Sequence, residues 1–241
     1  MSMLLTTTSA IRFTHEGHSP GIDEIVCEGC FPIYLNGECI SYHVASPDLL
    51  AELGAGFVLN EQLAETIETV SVEENKIFVE ADKTAKAMWG TESASGLTNL
   101  KKPRKISSSL QITSDAVFSV FETIQSEQWQ KTGGLHNSVL FSDGKKLICC
   151  PDIGRHNTVD KAVGYAELNS IDRSACYLGC TGRQPEGMVA KVANAGIPIV
   201  ISRAATTDRG VIVAKETNLT LIGFARQGRF TIYSHPERII P

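Results

Sequence analysis

The chain has 241 residues and a mass of 26.1 kDa, and 42% of its residues are hydrophobic, so it can bury a core without disulfide or metal staples. Its 22 Lys and Arg against 27 Asp and Glu give a net charge of −5, which argues against a nucleic-acid-binding protein with a generally basic surface. No apolar run approaches the roughly 18 residues of a membrane span, and the N-terminus lacks a secretory signal. Seven cysteines, an odd number, favour a reducing compartment, and we expect a cytoplasmic protein.

The first half of the chain is predicted to be rich in β-strands. Residues 33–40 are typical of two short strands around an Asn-Gly turn, and residues 70–80 indicate a second hairpin. Between them, Ser46 and Pro47 are predicted to cap and begin a short helix. Residues 85–106 are small and polar, contain glycine and end in a basic run, which predicts a long mobile loop.

From residue 114 onward, apolar strands alternate with capped helices. Ser114 is predicted to cap an amphipathic helix. The strands predicted after it cover residues 138–141, 147–150, 175–179, 197–201 and 219–224, and the helices cover residues 158–168, 186–195 and 208–216. This alternation indicates a mixed, mainly parallel sheet between layers of helices. We therefore expect an α/β cofactor-binding domain over residues 111–241, preceded by a smaller β-rich part over residues 1–110.

Glycine, arginine, histidine and hydroxyl side chains cluster beside the predicted strand ends. The stretches concerned are residues 132–137, 152–157, 181–187 and 203–210. In an open α/β sheet, ligands bind beyond the carboxyl ends of the strands, where helix N-termini present free N–H groups to anions. Helix caps and surface arginines would explain one such loop, but the last three stretches, which each run from a strand end into a helix, together predict a pocket for a phosphate-bearing ligand.

Several side chains invite a chemical role. The only H-x-E sequence, at His235, has no P-C-x-x-C after it, so zinc deaminase chemistry is excluded and we predict no metal site. His156 is a candidate general base, with a bond to a backbone group or a phosphate as the alternative. Cys180 stands at a predicted strand end and is either a nucleophile or a small core residue. Cys27 and Cys30 form the sole C-x-x-C, a spacing found in redox and zinc sites but also incidentally.

Five ordered motifs resemble the FdhD family of formate dehydrogenase accessory proteins. They are TGGLH at residues 132–136, DIGRHNTVDKAVG at 152–164, TGRQPEGMVAK at 181–191, IPIVISRAATTDRG at 197–210, and GFAR at 223–226 with Tyr233. The resemblance covers nearly the whole chain. It implies a cytidine deaminase-like three-layer α/β sandwich without zinc. It also implies a sulfur carrier, required for formate dehydrogenase activity, that takes sulfur from a cysteine desulfurase and delivers it to the molybdenum bis(molybdopterin guanine dinucleotide) cofactor before insertion.

The resemblance also implies which residues bind the cofactor. They are Phe224, Ala225, Arg226, Gln227, Gly228 and Arg229 near the C-terminus, with His156, Gly182, Arg183 and Arg203 from the loops. The cofactor is anionic through its pyrophosphates, which suits these loops, and we expect a GDP-like nucleotide to bind in vitro. The expected partners are formate dehydrogenase, a cysteine desulfurase, the molybdenum cofactor and a second copy of the chain in a homodimer, with neither nucleic acid nor membrane.

The chain departs from the family pattern in the predicted mobile loop. Sulfur-transferring members carry a C-G-x-C motif there, and its first cysteine holds a persulfide, whereas Ser95 and Thr98 stand at the two cysteine positions here. A hydroxyl cannot hold a persulfide, because the thiolate is the nucleophile in sulfur exchange. Two functions stay open: a sulfurtransferase that uses Cys180 or the Cys27 and Cys30 pair, and a non-catalytic carrier that docks the cofactor onto formate dehydrogenase.

Overall fold

The structure, a computed structural model, describes residues 4–82, 89–90, 98–99, 101–226 and 228–241. Its strands are β1 (Leu5–Thr14), β2 (Gly17–Val26), β3 (Gly29–Leu35), β4 (Glu38–Ala45), β5 (Ile67–Glu73), β6 (Lys76–Ala81), β7 (Trp89–Gly90), β8 (Thr98–Asn99), β9 (Ile112–Thr113), β10 (His136–Ser142), β11 (Lys145–Asp152), β12 (Cys176–Cys180), β13 (Ile199–Ser202), β14 (Thr220–Arg226), β15 (Arg229–Ser234) and β16 (Ile239–Ile240). Its helices are α1 (Leu50–Asn60), α2 (Ser114–Thr123), α3 (Glu127–Thr132), α4 (Arg155–Leu168), α5 (Glu186–Asn194) and α6 (Asp208–Glu216).

A six-stranded sheet of order β11-β10-β12-β13-β14-β15 organises the second half of the chain. The ladders β12-β13 and β13-β14 are parallel, and the other three are antiparallel. The mixed α/β sheet is confirmed, but the expectation that parallel pairing predominates is wrong. Hairpins at the two edges form two of the three antiparallel ladders: the Asp143-Gly144 turn, with φ of 48° and 72°, folds β11 back on β10, and β15 folds back on β14.

Helices cover both faces of this sheet, as the alternation of strands and helices predicts. On one face, α4, α5 and α6 pack on side chains such as Leu140 and Leu178. On the other face, α2 packs on Val139 and Phe141. Successive residues of β10 thus point to opposite faces, which is why the strand is apolar along its whole buried length.

A second, four-stranded sheet of order β4-β3-β6-β5 lies in the N-terminal half. The turn between β3 and β4 is the predicted one, with Asn36 at φ 48° and Gly37 at φ 81°. Helix α1 packs against this sheet through Leu53 and Phe57 and also crosses α4. A methyl group at Gly56 would collide with the carbonyl oxygen of Asp160, so the two helices cross in backbone contact. The domain boundary near residue 110 stays a prediction.

The chain starts with a hairpin that stands apart from both sheets. Strands β1 and β2 pair with each other over 10 residues each and form a two-stranded sheet. Ile11, Phe13 and Ile22 are exposed along it. The end of β2 returns to the body of the protein, where Val26 lies against Gly134.

The predicted helix start at Ser46 and Pro47 is wrong. Helix α1 begins at Leu50, after Leu49 in the left-handed conformation with φ 49°. Ser46 is fully buried, and its backbone N–H donates to Asp152 Oδ2 at 3.1 Å. Asp152, more than a hundred residues away in sequence, therefore binds the residue that the local sequence predicts as a helix cap.

Two other local predictions need adjustment. Thr113, one residue before the predicted cap Ser114, caps α2 by accepting from the Ala116 N–H at 3.1 Å. Most of the predicted mobile loop lies outside the described residues. Its last part is held in place, since the Ile106 N–H donates to the Thr217 carbonyl at 2.8 Å and the Ile106 side chain is buried.

The longest described helix, α4, has 14 residues, and no helix in the described ranges has the length and apolarity of a membrane span.

Candidate functional site

A cleft of about 380 Å³ opens at one edge of the six-stranded sheet. Strands β12, β13 and β14 end there, while the antiparallel β10 begins there. The four loops singled out by their composition therefore meet at this edge. The lining residues are Trp129, Gly133, Gly134, Leu135, His136, Ile153, Thr181, Arg203, Ala204 and Arg226.

Arg203 is the most constrained charged residue of the cleft. Its guanidinium carbon lies 5.3 Å from the ring centroid of Trp129 and 5.6 Å from that of Phe121. Its Nη1 is buried and has no hydrogen-bond partner among the described residues. Buried donors are nearly always paired in folded proteins, and guanidinium groups pair best with anions. The aromatic rings thus hold a cation whose free donor suits a phosphate or carboxylate oxygen.

Asp152, the last residue of β11, holds the start of the loop between β11 and α4 in place. This fully buried carboxylate accepts hydrogen bonds from three groups and pairs with one ammonium. The partners are the Ser46 N–H at 3.1 Å, the Gly154 N–H at 2.7 Å, the Asn157 amide at 2.9 Å and Lys161 Nζ at 2.6 Å. Because a buried charge needs such compensation, the position of the following cleft residue Ile153 is set by this network.

Arginines supply the positive charge of the site, and its histidines are neutral. Burial, with the neighbouring Arg155, lowers the pKa of His136. Burial, with Lys191 and Arg155 nearby, lowers the pKa of His156 to about 3. Burial and the nearby Arg183 also lower the pKa of Arg155, whose Nε is buried without a hydrogen-bond partner in the described part of the chain. At neutral pH the site therefore presents guanidinium cations beside uncharged imidazoles.

His156 is placed inside the molecule rather than in the cleft. It lies in the first turn of α4, is 8% exposed and is absent from the cleft lining. A general base has to reach the proton that it removes. The geometry therefore gives no support to His156 as a general base toward a ligand in the cleft.

The predicted C-terminal segment contributes to the cleft through a backbone distortion. Phe224 has φ 52°, unusual for a bulky side chain, and its N–H donates to the Ala204 carbonyl at 3.0 Å. The pairing of β14 with β15 shifts register between Gly223 and Arg226. The Arg226 guanidinium carbon lies 5.8 Å from the Phe224 ring centroid, and Arg226 lines the cleft. Strained backbone of this kind collects at functional sites.

The other predicted binding residues are more scattered. Ala225 is buried in the core beneath α2. Gly228, at φ 78°, lines a separate cavity of about 350 Å³. Arg229 is exposed at the start of β15. Ser95 and Gln227 lie outside the described residues.

Gly182 and Arg183 follow β12 beside the cleft. Gly182 is buried, and a methyl group there would lie 3.0 Å from Arg155 Cβ, so glycine allows this close approach. Arg183 is exposed but close enough to lower the pKa values of His136 and Arg155. These loops thus meet at the site, although their side chains do not all line it.

Of the two roles left open for Cys180, nucleophile or small core residue, the structure supports the core residue. Its side chain is 1% exposed, and its Sγ lies 3.3 Å from Ser138 Oγ. Burial raises the pKa of Cys180 to about 12. A buried, protonated thiol is a poor nucleophile. Among the described residues, no three His, Cys, Asp or Glu side chains are grouped as a metal site would require.

Sequence reasoning missed the aromatic pair that holds Arg203. Phe121 sits on α2, and its regular spacing indicates an ordinary core position. Trp129 sits on α3, a helix of 6 residues that the sequence analysis does not predict. The signal that could have pointed to this region is Gly133-Gly134 directly after it, where Gly133 ends α3 at φ 63°.

The chain matches the profile of the FdhD/NarQ family over residues 26–240. A protein named FdhD from Methanocaldococcus jannaschii is 34% identical over 214 residues, which make up 88% of each chain. The sulfur carrier protein FdhD of Bacillus subtilis is 31% identical over 237 residues, which make up 90% of each chain. The fold is similar to that of a formate dehydrogenase accessory protein from Desulfotalea psychrophila, with a TM-score of 0.86, 26% identity, and coverage of 99% of this chain and 100% of the other.

Proposed function

Because the chain belongs to the FdhD/NarQ family, we propose that it is a sulfur carrier that serves formate dehydrogenase. Relatives named as sulfur carriers cover most of the chain, and a structural neighbour is described as a formate dehydrogenase accessory protein. In this proposal the client is the molybdenum bis(molybdopterin guanine dinucleotide) cofactor, and a cysteine desulfurase supplies the sulfur. Both exchanges take place in the cytoplasm, where thiols stay reduced.

The observation that carries the proposed cofactor binding is the free donor on Arg203. A guanine dinucleotide presents a pyrophosphate, and the cleft presents Arg203 and Arg226. Arg203 lines the cleft, and its guanidinium, whose buried Nη1 lacks a partner among the described residues, would donate to a phosphate oxygen. The ring stack on Trp129 holds the guanidinium in place before the ligand arrives, which lowers the entropy cost of binding.

The remaining cleft residues would position the ligand. Gly133 has no side chain, and a methyl group there would meet nothing within 4 Å, so a bulky ligand can approach its backbone closely. His136 is uncharged at neutral pH and has room for a hydrogen bond, since burial and Arg155 lower its pKa. The Ala204 carbonyl is already used by the Phe224 N–H, which ties the C-terminal segment to the cleft wall.

A second candidate function is a carrier that binds the cofactor without taking up sulfur. Ser95 and Thr98 in the loop, together with the burial of Cys180, favour it. The two functions share the cleft and differ in one event, the formation of a persulfide on this chain. A homodimer stays a prediction in both.

Nucleotide binding can be tested by titrating GDP into the full chain and measuring the heat. We expect saturable binding that Arg203→Ala weakens about tenfold or more, because a hydrogen bond to a charged group contributes about 1.5–3 kcal/mol. Arg209→Ala is the matched control, since Arg209 is 60% exposed and pairs with Glu186 at 3.0 Å on the surface. No heat at millimolar GDP with a folded protein, or equal affinity in both variants, would contradict the proposal.

A further inference from the structure

We propose that the Cys27 and Cys30 pair is the site that accepts sulfur in this chain. The inference rests on the proposed sulfur-carrier function and assigns the thiols that the loop cannot supply, because it has Ser95 and Thr98 at the cysteine positions. Cys27 lies in the connection between the N-terminal hairpin and β3, and Cys30 is the second residue of β3, so both are far from the loop in sequence.

One end of this connection lies against the cleft. A methyl group added at Gly134, a cleft-lining residue, would lie 2.9 Å from Val26 Cγ2. Cys27 directly follows Val26 and is half-buried, and its N–H donates to the Leu4 carbonyl at 2.9 Å. The first cysteine is therefore one residue away from the Gly133-Gly134 wall.

Cys30 lies on a strand ladder that is hydrogen-bonded to the start of α4. Cys30 is exposed and pairs with Val44 in the β3-β4 ladder. The Val44 carbonyl accepts from the Asn157 amide at 2.9 Å, and the same amide donates to Asp152 Oδ1. Asp152 immediately precedes Ile153, which lines the cleft. The β3-β4 ladder that contains Cys30 is thus hydrogen-bonded to the segment that carries the cleft residue Ile153.

The remaining cysteines are less suited to meet a protein donor. Three of them, Cys150, Cys176 and Cys180, are buried in the core. Cys149 is half-buried in β11, and burial raises its pKa. Cys39 is exposed, but it pairs with Tyr34 beside the β3-β4 turn, at the end of the ladder remote from Cys30.

The cleft would bind the client that receives the sulfur from the pair. Arg203 has a buried Nη1 without a partner among the described residues, and Arg226 adds a second cation, so the cleft would hold an anionic client near Gly134, the residue against which Val26 lies. Cys27, which follows Val26, and the exposed Cys30 can then meet both an outside donor and a client bound in the cleft. Neither requirement is met by the buried Cys180.

The chemical step is a transfer of sulfane sulfur between cysteines. The thiolate of the exposed Cys30 attacks the terminal sulfur of a cysteine persulfide on the donor protein. A new S–S bond forms on Cys30, the S–S bond of the donor breaks, and the donor cysteine leaves as a thiolate. The proton on the terminal sulfur moves to Cys30 together with that sulfur atom. Atoms and charge therefore balance, and no external oxidant or reductant is consumed.

The test uses the full chain, a cysteine desulfurase and isotopically labelled cysteine, with the added sulfur mapped by mass spectrometry of peptides. We expect label on the peptide that contains Cys27 and Cys30, and about a tenfold or greater loss in a Cys27→Ser/Cys30→Ser variant, because a hydroxyl does not replace a thiolate. Cys39→Ser is the matched control, since it also removes an exposed thiol. GDP binding and the unfolding temperature check that each variant is folded.

The outcomes separate this inference from the function on which it rests. Label on Cys39 or on another cysteine would overturn the assignment and leave the sulfur-carrier function standing. Absence of label from the wild-type chain, with GDP still bound, would overturn both in favour of the non-catalytic carrier. Label on Cys27 or Cys30 that disappears in the double variant supports both.

Discussion

At the scale of single residues, burial decides what each ionisable group does. His156 is 8% exposed and faces Lys191 from α5, Arg155 from α4 and His136 from β10. Burial is the largest cause of its low pKa, and the cations add to it. An imidazole with a pKa of about 3 stays neutral in the folded state under conditions where the unfolded chain is protonated.

This difference predicts how stability changes with pH. The contribution of His156 is fully present above the unfolded pKa of about 6.5 and is lost as the pH falls toward 3, with a slope of up to about 1.4 kcal/mol per pH unit. His156→Gln removes the titration, so its free energy of unfolding should fall less steeply than that of the wild type between pH 6 and 4. Urea unfolding at several pH values measures this. His15→Gln, at an exposed position, is the control, and parallel curves for His156→Gln and wild type would refute the prediction.

At the scale of elements, the crossing of α1 and α4 decides whether the two halves of the chain fit together. Helix α4 is buried on two sides, by β10 and β11 and by α1, so its sequence shows little amphipathic character. Gly56 and Gly164 lie at the crossing, and a methyl group at Gly164 would collide with the Glu52 carbonyl. Backbone atoms on both sides cannot move aside as a flexible side chain would.

Replacing Gly56 by alanine should therefore destabilise the protein. A methyl group there would collide with the Asp160 carbonyl, and we expect a loss of about 3 kcal/mol or more in the free energy of unfolding. Gly21→Ala is the matched control, because a methyl group at Gly21 meets nothing within 4 Å and the residue has no positive φ. Chemical denaturation measures both variants. Equal midpoints for the two would show that the crossing tolerates a side chain.

At the scale of the whole molecule, buried ion pairs connect the N-terminal half to the α/β half. Lys161 is fully buried and pairs with Asp152 at 2.6 Å and with Asp48 at 2.8 Å. Lys191 pairs with Asp160 at 2.9 Å and with Glu61 at 2.8 Å. Burial alone would lower the pKa of Lys191, but the two carboxylates outweigh it and raise the pKa. Asp48 and Glu61 come from the N-terminal half, so the charges compensate only when both halves are assembled.

Removing one of these cations should cost more than removing a surface charge. Lys161→Met leaves Asp152 without its ammonium, and we expect a loss of about 3–5 kcal/mol in the free energy of unfolding, because the uncompensated charge stays buried. GDP affinity should fall as well, since Asp152 positions the loop between β11 and α4, which carries the cleft residue Ile153. Arg209→Ala removes an exposed pair and should cost about 1 kcal/mol or less. Similar losses in the two variants, measured by denaturant unfolding, would contradict this account.

The sequence by itself determined the elements whose signals are local. Short apolar segments between capped helices predicted β10, β11, β12, β13 and β14, and the Asn36-Gly37 dipeptide predicted a hairpin because both residues accept positive φ. The glycine- and arginine-containing loops were also visible, and the strand order brings them to one edge of the sheet. Five ordered motifs identified the family because they span most of the chain.

Only the tertiary structure decided which of those residues act together. The sequence predicts Ser46 as a helix cap, but its N–H donates to Asp152, and burial settled the choice between a nucleophile and a core residue at Cys180. The pairing of Arg203 with Trp129 joins residues from distant parts of the chain. The physical reason is common to all of them: burial and partners far apart in sequence set the charge and reach of a side chain, and neither has a local signal.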